Sequence, residues 1–95
     1  MATGPEPLNV VATTRYDKDA KRVRKRGNDM ARLLAVVDAL RNRRPLAERH
    51  RDHALTSDWQ GWRDCHIEPD WLVIYDVTST EVLLIRTGTH SDLFI

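Results

Sequence analysis

The spacing of apolar positions changes along this chain, and the change divides it into helical and extended parts. Residues 8–14 (Leu-Asn-Val-Val-Ala-Thr-Thr) are apolar and β-branched, which predicts a first strand. Residues 18–26 are strongly basic and read as a short helix, with Asp17 as its expected N-cap and Gly27 as its stop. Asn28 or Asp29 opens a second helix. There Met30, Leu33, Val37 and Leu40 recur at helical spacing, with Leu34 beside them, and form one apolar face. The basic run 41–44 suits the negative end of that helix, and Pro45 ends it. Residues 46–58 are polar and irregular. Three strands are expected after them. In 59–67 the residues Trp62, Asp64 and His66 alternate with Arg63, Cys65 and Ile67; strands over 71–77 and 81–87 follow. Glu68-Pro69-Asp70 and Thr78-Ser79-Thr80 supply the turns, and 88–95 forms a tail or a short final turn. The order β-α-α-β-β-β predicts an α+β fold with two helices packed on one antiparallel sheet.

The 95 residues suffice for one domain spanning 1–95, with 1–7 as a loose lead-in. The longest purely apolar runs, 33–37 and 71–75, are far short of the about 20 residues that a membrane helix needs. No secretory signal is visible at the N-terminus, and the lone Cys65 can form no internal disulfide. Both fit a cytoplasmic protein. Net charge is +1, but it is unevenly spread. Residues 15–55 carry thirteen Lys/Arg against six Asp/Glu, a balance of +7, and the remainder carries two against eight, a balance of −6. One basic region on a nearly neutral chain is the electrostatic footprint expected of a phosphate-backbone binder, although a solvated helical face has the same composition.

Four histidines, at 50, 53, 66 and 90, lie in the C-terminal half, with Asp64 and Asp70 flanking His66. RNA carries its own nucleophile in the ribose 2′-OH. A protein that cuts it needs a base for that hydroxyl, an acid for the leaving 5′ oxygen and a cation for the phosphate. Histidine and aspartate can fill the first two roles, and Arg86 or Arg63 the third. Arg86 ends an apolar strand, where a charge must pair or lie at a sheet edge. His50 and His53 could share a helical face as metal ligands, but no Cys-x-x-Cys or His-Glu-x-x-His spacing supports a metal, so no cofactor is expected. Trp59, Trp62 and Trp71 either pack the core or stack on bases. Cys65 reads as a small buried side chain.

Several strings are distinctive. They are Arg51-Asp52-His53-Ala54-Leu55, Trp59-x-Gly61-x-Arg63-Asp64-x-His66-x-Glu68-Pro69-Asp70-Trp71, Ile74-Tyr75, Arg86-Thr87-Gly88-Thr89-His90 and Leu93-Phe94. Together they resemble the YafQ-type toxins of the RelE superfamily of toxin–antitoxin modules. The likeness runs from about Tyr16 to Ile95 and is most specific in the last 45 residues. The resemblance implies a β-α-α-β-β-β toxin that cleaves mRNA in the A site of the 70S ribosome by side-chain acid–base chemistry, leaving a 2′,3′-cyclic phosphate. It also implies a cognate antitoxin, commonly with a ribbon-helix-helix end. Carried over residue by residue, the active set is His53, His66, Asp70, Arg86, His90 and Phe94, with Asp64 and Trp71 in support. His90 is then the acid, Arg86 the phosphate cation, Phe94 a base stack, and Asp70 the group that binds or deprotonates the 2′-OH, with His53 and His66 sharing that task or holding phosphate. Ser57 replaces a family glycine, the N-terminus is longer, and the overall charge is lower than such a toxin implies. A ParE-like toxin that binds gyrase without catalysis, or a plain nucleic-acid-binding module, are the competing readings. The first would not need the histidine–aspartate set.

Overall fold

The computed structural model describes residues 6–94; most of the expected lead-in, and Ile95, lie outside the described residues. Strand β1 (Asn9–Ala12) leads into helix α1 (Thr14–Lys25) and helix α2 (Met30–Arg41). A 3₁₀ turn at Glu48–His50, a two-residue strand β2 (His53–Ala54) and a second 3₁₀ turn at Ser57–Trp59 follow. Then come β3 (Arg63–Glu68), β4 (Trp71–Val77), β5 (Glu81–Gly88) and a short helix α3 (His90–Phe94). The five strands form one sheet in the order β1-β5-β4-β3-β2. The α+β layering is as the sequence predicts. The sheet, however, is mixed: β2 to β5 are antiparallel neighbours, while β1 runs parallel to β5 with Asn9 opposite Glu81.

Capping sets the helix limits. The Thr13 side chain accepts the Tyr16 N–H at 3.0 Å, so α1 starts four residues before the expected position, and Asp17 sits in its first turn instead of capping it. Gly27, at φ +91°, turns the chain out of α1, and the Asn28 N–H returns to the Val23 carbonyl at 3.1 Å. Asp29 caps α2 by accepting the Ala31 N–H at 3.0 Å. The buried stripe of α2 is Leu33, Val36 and Leu40; Val37 and Met30 are only partly covered, and Leu34 stands in solvent. β3 begins at Arg63 instead of Trp59, because 57–59 coils into the second 3₁₀ turn.

Both faces of the sheet are apolar. Leu8, Tyr16, Val23 and the α2 stripe pack on Cys65, Ile67, Trp71, Val73, Tyr75, Val82 and Leu84. On the opposite face a smaller cluster joins Leu72, Ile74, Ile85 and Leu93, with Leu55, Trp59 and Leu83 against it. Cys65 is fully buried, and burial pushes its thiol up to about 12.

β1 covers only the first half of β5, and α1 seals the rest. The Thr13 N–H and hydroxyl donate to the carbonyls of Leu84 and Ile85 at 3.0 and 2.8 Å. Asp19, 3% exposed, accepts the Thr87 N–H at 3.3 Å and a bidentate pair from Arg86 at 2.6 and 3.1 Å. Truncating Asp19 strands the guanidinium of Arg86, whose side chain is 11% exposed. Asp19→Ala should therefore cost about 3–5 kcal/mol, as loss of one partner of a buried ion pair does. A urea unfolding curve checks this, and a loss below about 1 kcal/mol would show the pair to be a surface contact. Cys65 should resist a thiol-specific disulfide reagent in the native protein and react once urea unfolds it; equal rates in both states would contradict its burial.

Candidate active site

The open face of the sheet, opposite α1 and α2, gathers the chemistry. Pairing sets Arg86 beside Ile74, Ile74 beside Asp64 and Asp64 beside His53, in one row across β5, β4, β3 and β2. The next row sets Gly88 beside Leu72 and Leu72 beside His66. Cys65 and Ile67 point into the main core, as the alternation predicts. On β5 the register slips between Ile74 and Tyr75, so that Leu84 faces the helices while both Ile85 and Arg86 face away. This bulge carries Arg86 onto the open face, where strict alternation from Leu84 would have turned it toward the helices.

α3 brings His90 and Phe94 over this face. The imidazoles of His66 and His90 lie 5.5 Å apart, nearly perpendicular, and His53 stands 6.5 Å from His66. One carboxylate oxygen of Asp70 accepts both the backbone N–H of His90, at 2.9 Å, and its ring Nδ1–H, at 2.6 Å. These two donors hold Asp70 below the usual carboxylate range. Nδ1 of His90 is thereby engaged, and Nε2 is the ring nitrogen left open. His66 is half-covered, and burial lowers its pKa from 6.5, opposed by the nearby charge of Asp64. Asp64 is 3% exposed, and burial raises its pKa against the pull of His53, His66 and His90. His53 Nδ1 lies 3.3 Å from Asp64 Oδ1, but its N–H goes to the Arg51 carbonyl at 2.7 Å. Asp64 Oδ1 therefore has no hydrogen-bond donor among the described residues.

Arg86 shares the face but directs Nε and Nη2 at Asp19; its Nη1 remains. Arg22 joins the same carboxylate at 3.0 Å, so two cations share one anion and the trio carries +1. Trp71 points away from the site into the core. Its Nε1–H donates to Thr87 Oγ1 at 3.0 Å, and that hydroxyl donates to the Leu72 carbonyl at 2.7 Å, tying β4 to β5 beneath the histidines.

Some supporting residues carry no signal in the sequence pattern. His50 is not paired with His53 on a helix; its Nδ1 donates to the His66 carbonyl at 2.6 Å and fixes the loop to β3. Thr89 and Asp92 cap α3 reciprocally, at 2.9 and 3.0 Å, and Arg26 clamps Asp92 bidentately at 2.6 and 3.1 Å. The guanidinium holds the Asp92 carboxyl well below its usual range. A Cβ on Gly88 would lie 2.8 Å from Asp92 Oδ2 and 2.9 Å from its Cβ, so the β5–α3 joint requires glycine. Basic surface flanks the histidines on two sides: Arg32, Arg49 and Arg51 line a groove with His66, and Lys18, Lys21, Arg22, Lys25 and Arg26 form a patch on α1. Among the described residues, no group of three or more His, Cys, Asp or Glu is arranged to hold a metal ion, and no helix is long and apolar enough to cross a membrane.

Residues 8–95 match the family model described as a bacterial toxin of type II toxin–antitoxin systems, YafQ. The chain belongs to the YafQ toxin family. It is 44% identical over 80 residues to the mRNA interferase toxin YafQ of Escherichia coli, an alignment covering 83% of this chain and 87% of that protein. The crystal structure of E. coli YafQ superposes with a TM-score of 0.88 at 38% identity, covering 93% of this chain and 99% of that one. A chain of the E. coli DinJ–YafQ toxin–antitoxin complex gives 0.86 at 39% identity, covering 94% and 99%. The α+β architecture is thus that of YafQ structures, and the E. coli relatives are named mRNA interferase toxins. Ser57, where the resemblance implies a glycine, takes φ +57°, the left-handed conformation that glycine adopts readily.

The cluster has a titration signature. The His66 imidazole should titrate below the ordinary 6.5 in the folded protein. The folded state then sheds this proton more readily than the unfolded chain. The resulting stability is fully present above about 6.5 and is lost as pH falls through the folded value. Asp64→Asn removes an anion that favours the imidazolium, so it should move His66 lower still. Histidine ring resonances followed against pH in wild type and variant test this; an upward shift in the variant would contradict the assigned coupling.

Proposed function

We propose that this YafQ-family toxin is an endoribonuclease that cuts mRNA in the ribosomal A site, with the ribose 2′-OH as nucleophile and side chains alone as acid and base. The observation that carries the reading is the His66–His90 pair, 5.5 Å apart on an open face, with Asp70 seated on His90 Nδ1. His66, with its lowered pKa, is neutral at cytoplasmic pH and takes the 2′-OH proton as the oxygen attacks phosphorus. His90, as the imidazolium, gives the Nε2 proton to the departing 5′ oxygen, so the products are a 2′,3′-cyclic phosphate and a 5′-OH. Asp70 orients His90 and stabilises its cation; this geometry favours that role over proton abstraction. His53 and the free Nη1 of Arg86 address the phosphate, and the +1 trio around Asp19 opposes the charge that builds there. Phe94, 6.3 Å from His90 and 40% exposed, offers a face for the base beside the scissile bond. Asp64 supports the imidazolium charges from below, and Trp71 braces the sheet beneath them.

The basic surfaces fit the phosphate-rich environment of a ribosome, and they suit an antitoxin that covers them with acidic or helical segments, as a ribbon-helix-helix antitoxin with an extended tail would. The E. coli relative is crystallised with the antitoxin DinJ. Purified toxin added to ribosomes carrying mRNA should cut in the A site and leave the same RNA intact without ribosomes. His90→Ala should fold, bind antitoxin and lose about 100- to 10,000-fold in single-turnover rate, the usual cost of removing an acid–base group. A chelator of transition metals, with ribosomal Mg²⁺ maintained, should change nothing. Near wild-type cutting by His90→Ala would sink the assignment, and growth arrest without RNA cleavage would favour a gyrase-type or other non-catalytic toxin.

A further inference from the structure

Six rings run in file across the open face. From His53 the line passes to His66, His90, Phe94, Trp59 and Trp62, with neighbouring centroids 5.5–6.5 Å apart. The first four belong to the site described above. The two indoles lie beyond it and border a cleft of about 510 Å³ lined by Thr13, Arg15, Asp58, Trp59, Ile85 and Arg86, with Trp62. Core packing accounts for part of this. One side of Trp59 rests on the cluster of Leu72, Ile74, Ile85 and Leu93. It does not account for Trp62, which is 37% exposed, or for the backbone beneath it. The loop is cinched by the Leu55 N–H on the Trp62 carbonyl at 2.8 Å, and it holds Ser57 at φ +57° and Gly61 at φ +97°. A left-handed serine carries a backbone cost, and the loop it shapes rests Trp62 on Trp59 while leaving part of the indole open to solvent. Arg15 is exposed at the rim and has no ion-pair partner among the described residues.

We propose that this cleft is a second nucleotide subsite, taking a base of the same RNA strand that neighbours the nucleotides held at the scissile bond. The proposal rests on the nuclease reading above and extends it along the strand. The base stacks on Trp62 and the open edge of Trp59, and Arg15 holds its phosphate. The carboxylate of Asp58 repels phosphate and keeps it on the Arg15 side. Stacking discriminates little between bases, so the subsite contributes grip and register more than sequence choice. An RNA strand is favoured over a protein occupant by continuity with the line of rings and by the unpaired arginine at the far end.

The test is single-turnover cleavage of ribosome-bound mRNA across a toxin concentration series, on intact message and on messages abasic at the positions flanking the cut. Trp62→Ala should raise the half-saturating concentration about 5- to 100-fold, the loss of one stacked base, with the maximal rate changed little. Arg15→Ala should raise it in the same direction. An abasic residue at one flanking position should cost wild type that same factor and cost Trp62→Ala nothing further. Unchanged half-saturation in Trp62→Ala overturns the subsite, as does an abasic penalty of equal size in both proteins. If wild type cuts no RNA, quenching of its tryptophan fluorescence by a 2′-O-methyl trinucleotide decides the matter separately. Quenching abolished in Trp62→Ala upholds the subsite while the nuclease reading fails; no quenching in wild type overturns the subsite. Loss of antitoxin affinity or of a homodimer in Trp62→Ala, with RNA handling intact, assigns the cleft to protein and overturns it equally. Near-ultraviolet circular dichroism confirms that the variants are folded, and Trp62→Phe, which retains a stacking face, should restore most of the affinity.

Discussion

Asp19 is a carboxylate on a basic helix, buried where that helix meets the uncovered edge of a strand, and most of the molecule is organised by what it accepts. From β5 it takes the backbone N–H of Thr87 and the side chain of Arg86, and from its own helix it takes Arg22. A bare strand edge would leave donors without partners in a half-apolar setting. Asp19 and Thr13 close that edge without a sixth strand. The same contact fixes α1 beside β5 and the arginine on the open face. Through α1 it also places Arg26, whose grip on Asp92 sets α3 and hence His90 and Phe94. One buried charge thus joins the packing of the helix layer to the geometry of the histidines.

The α+β order and the two turns that separate the last strands were legible in the sequence because they rest on local period and turn chemistry. The alternation over 62–67 correctly divides Asp64 and His66 from Cys65 and Ile67, since side-chain direction in a strand follows from parity alone. Other features depend on contacts distant in sequence. The parallel entry of β1 is decided by a partner about seventy residues away. The burial of Asp19 appears only when Tyr16, Asp19 and Val23 are seen as one stripe at helical spacing, and a basic helix disguises that stripe as a solvated face. The bulge at Ile85 and Arg86 leaves no mark in composition, yet it chooses the face on which the arginine stands. Trp71 follows parity instead: it lies in the core with Val73 and Tyr75, beneath the open face.

The site's electrostatics follow from unequal burial of like groups. Asp64 and Asp70 are the same side chain under different conditions. Asp64 is dehydrated, and burial raises it; Asp70 is exposed, accepts two donors from one residue, and is lowered. The histidines differ in what already occupies their ring nitrogens: His53 gives Nδ1–H to a backbone carbonyl, and His90 gives it to a carboxylate.

The pairing of Asp19 with Arg86 also has a consequence in time. The two residues are separated by 67 positions, and β1 waits on the same strand. At about 5–20 residues per second, synthesis leaves α1 without its counterpart for several seconds after Asp19 is added. During that interval the open edge does not exist, Arg86 has no anchor and α3 has no clamp. The histidine array is therefore completed late, and a nascent chain halted before β5 carries the basic helices, His53 and His66 but not Arg86, His90 or Phe94. Chain order in this fold leaves the open face incomplete until the strand that everything else leans on has been made.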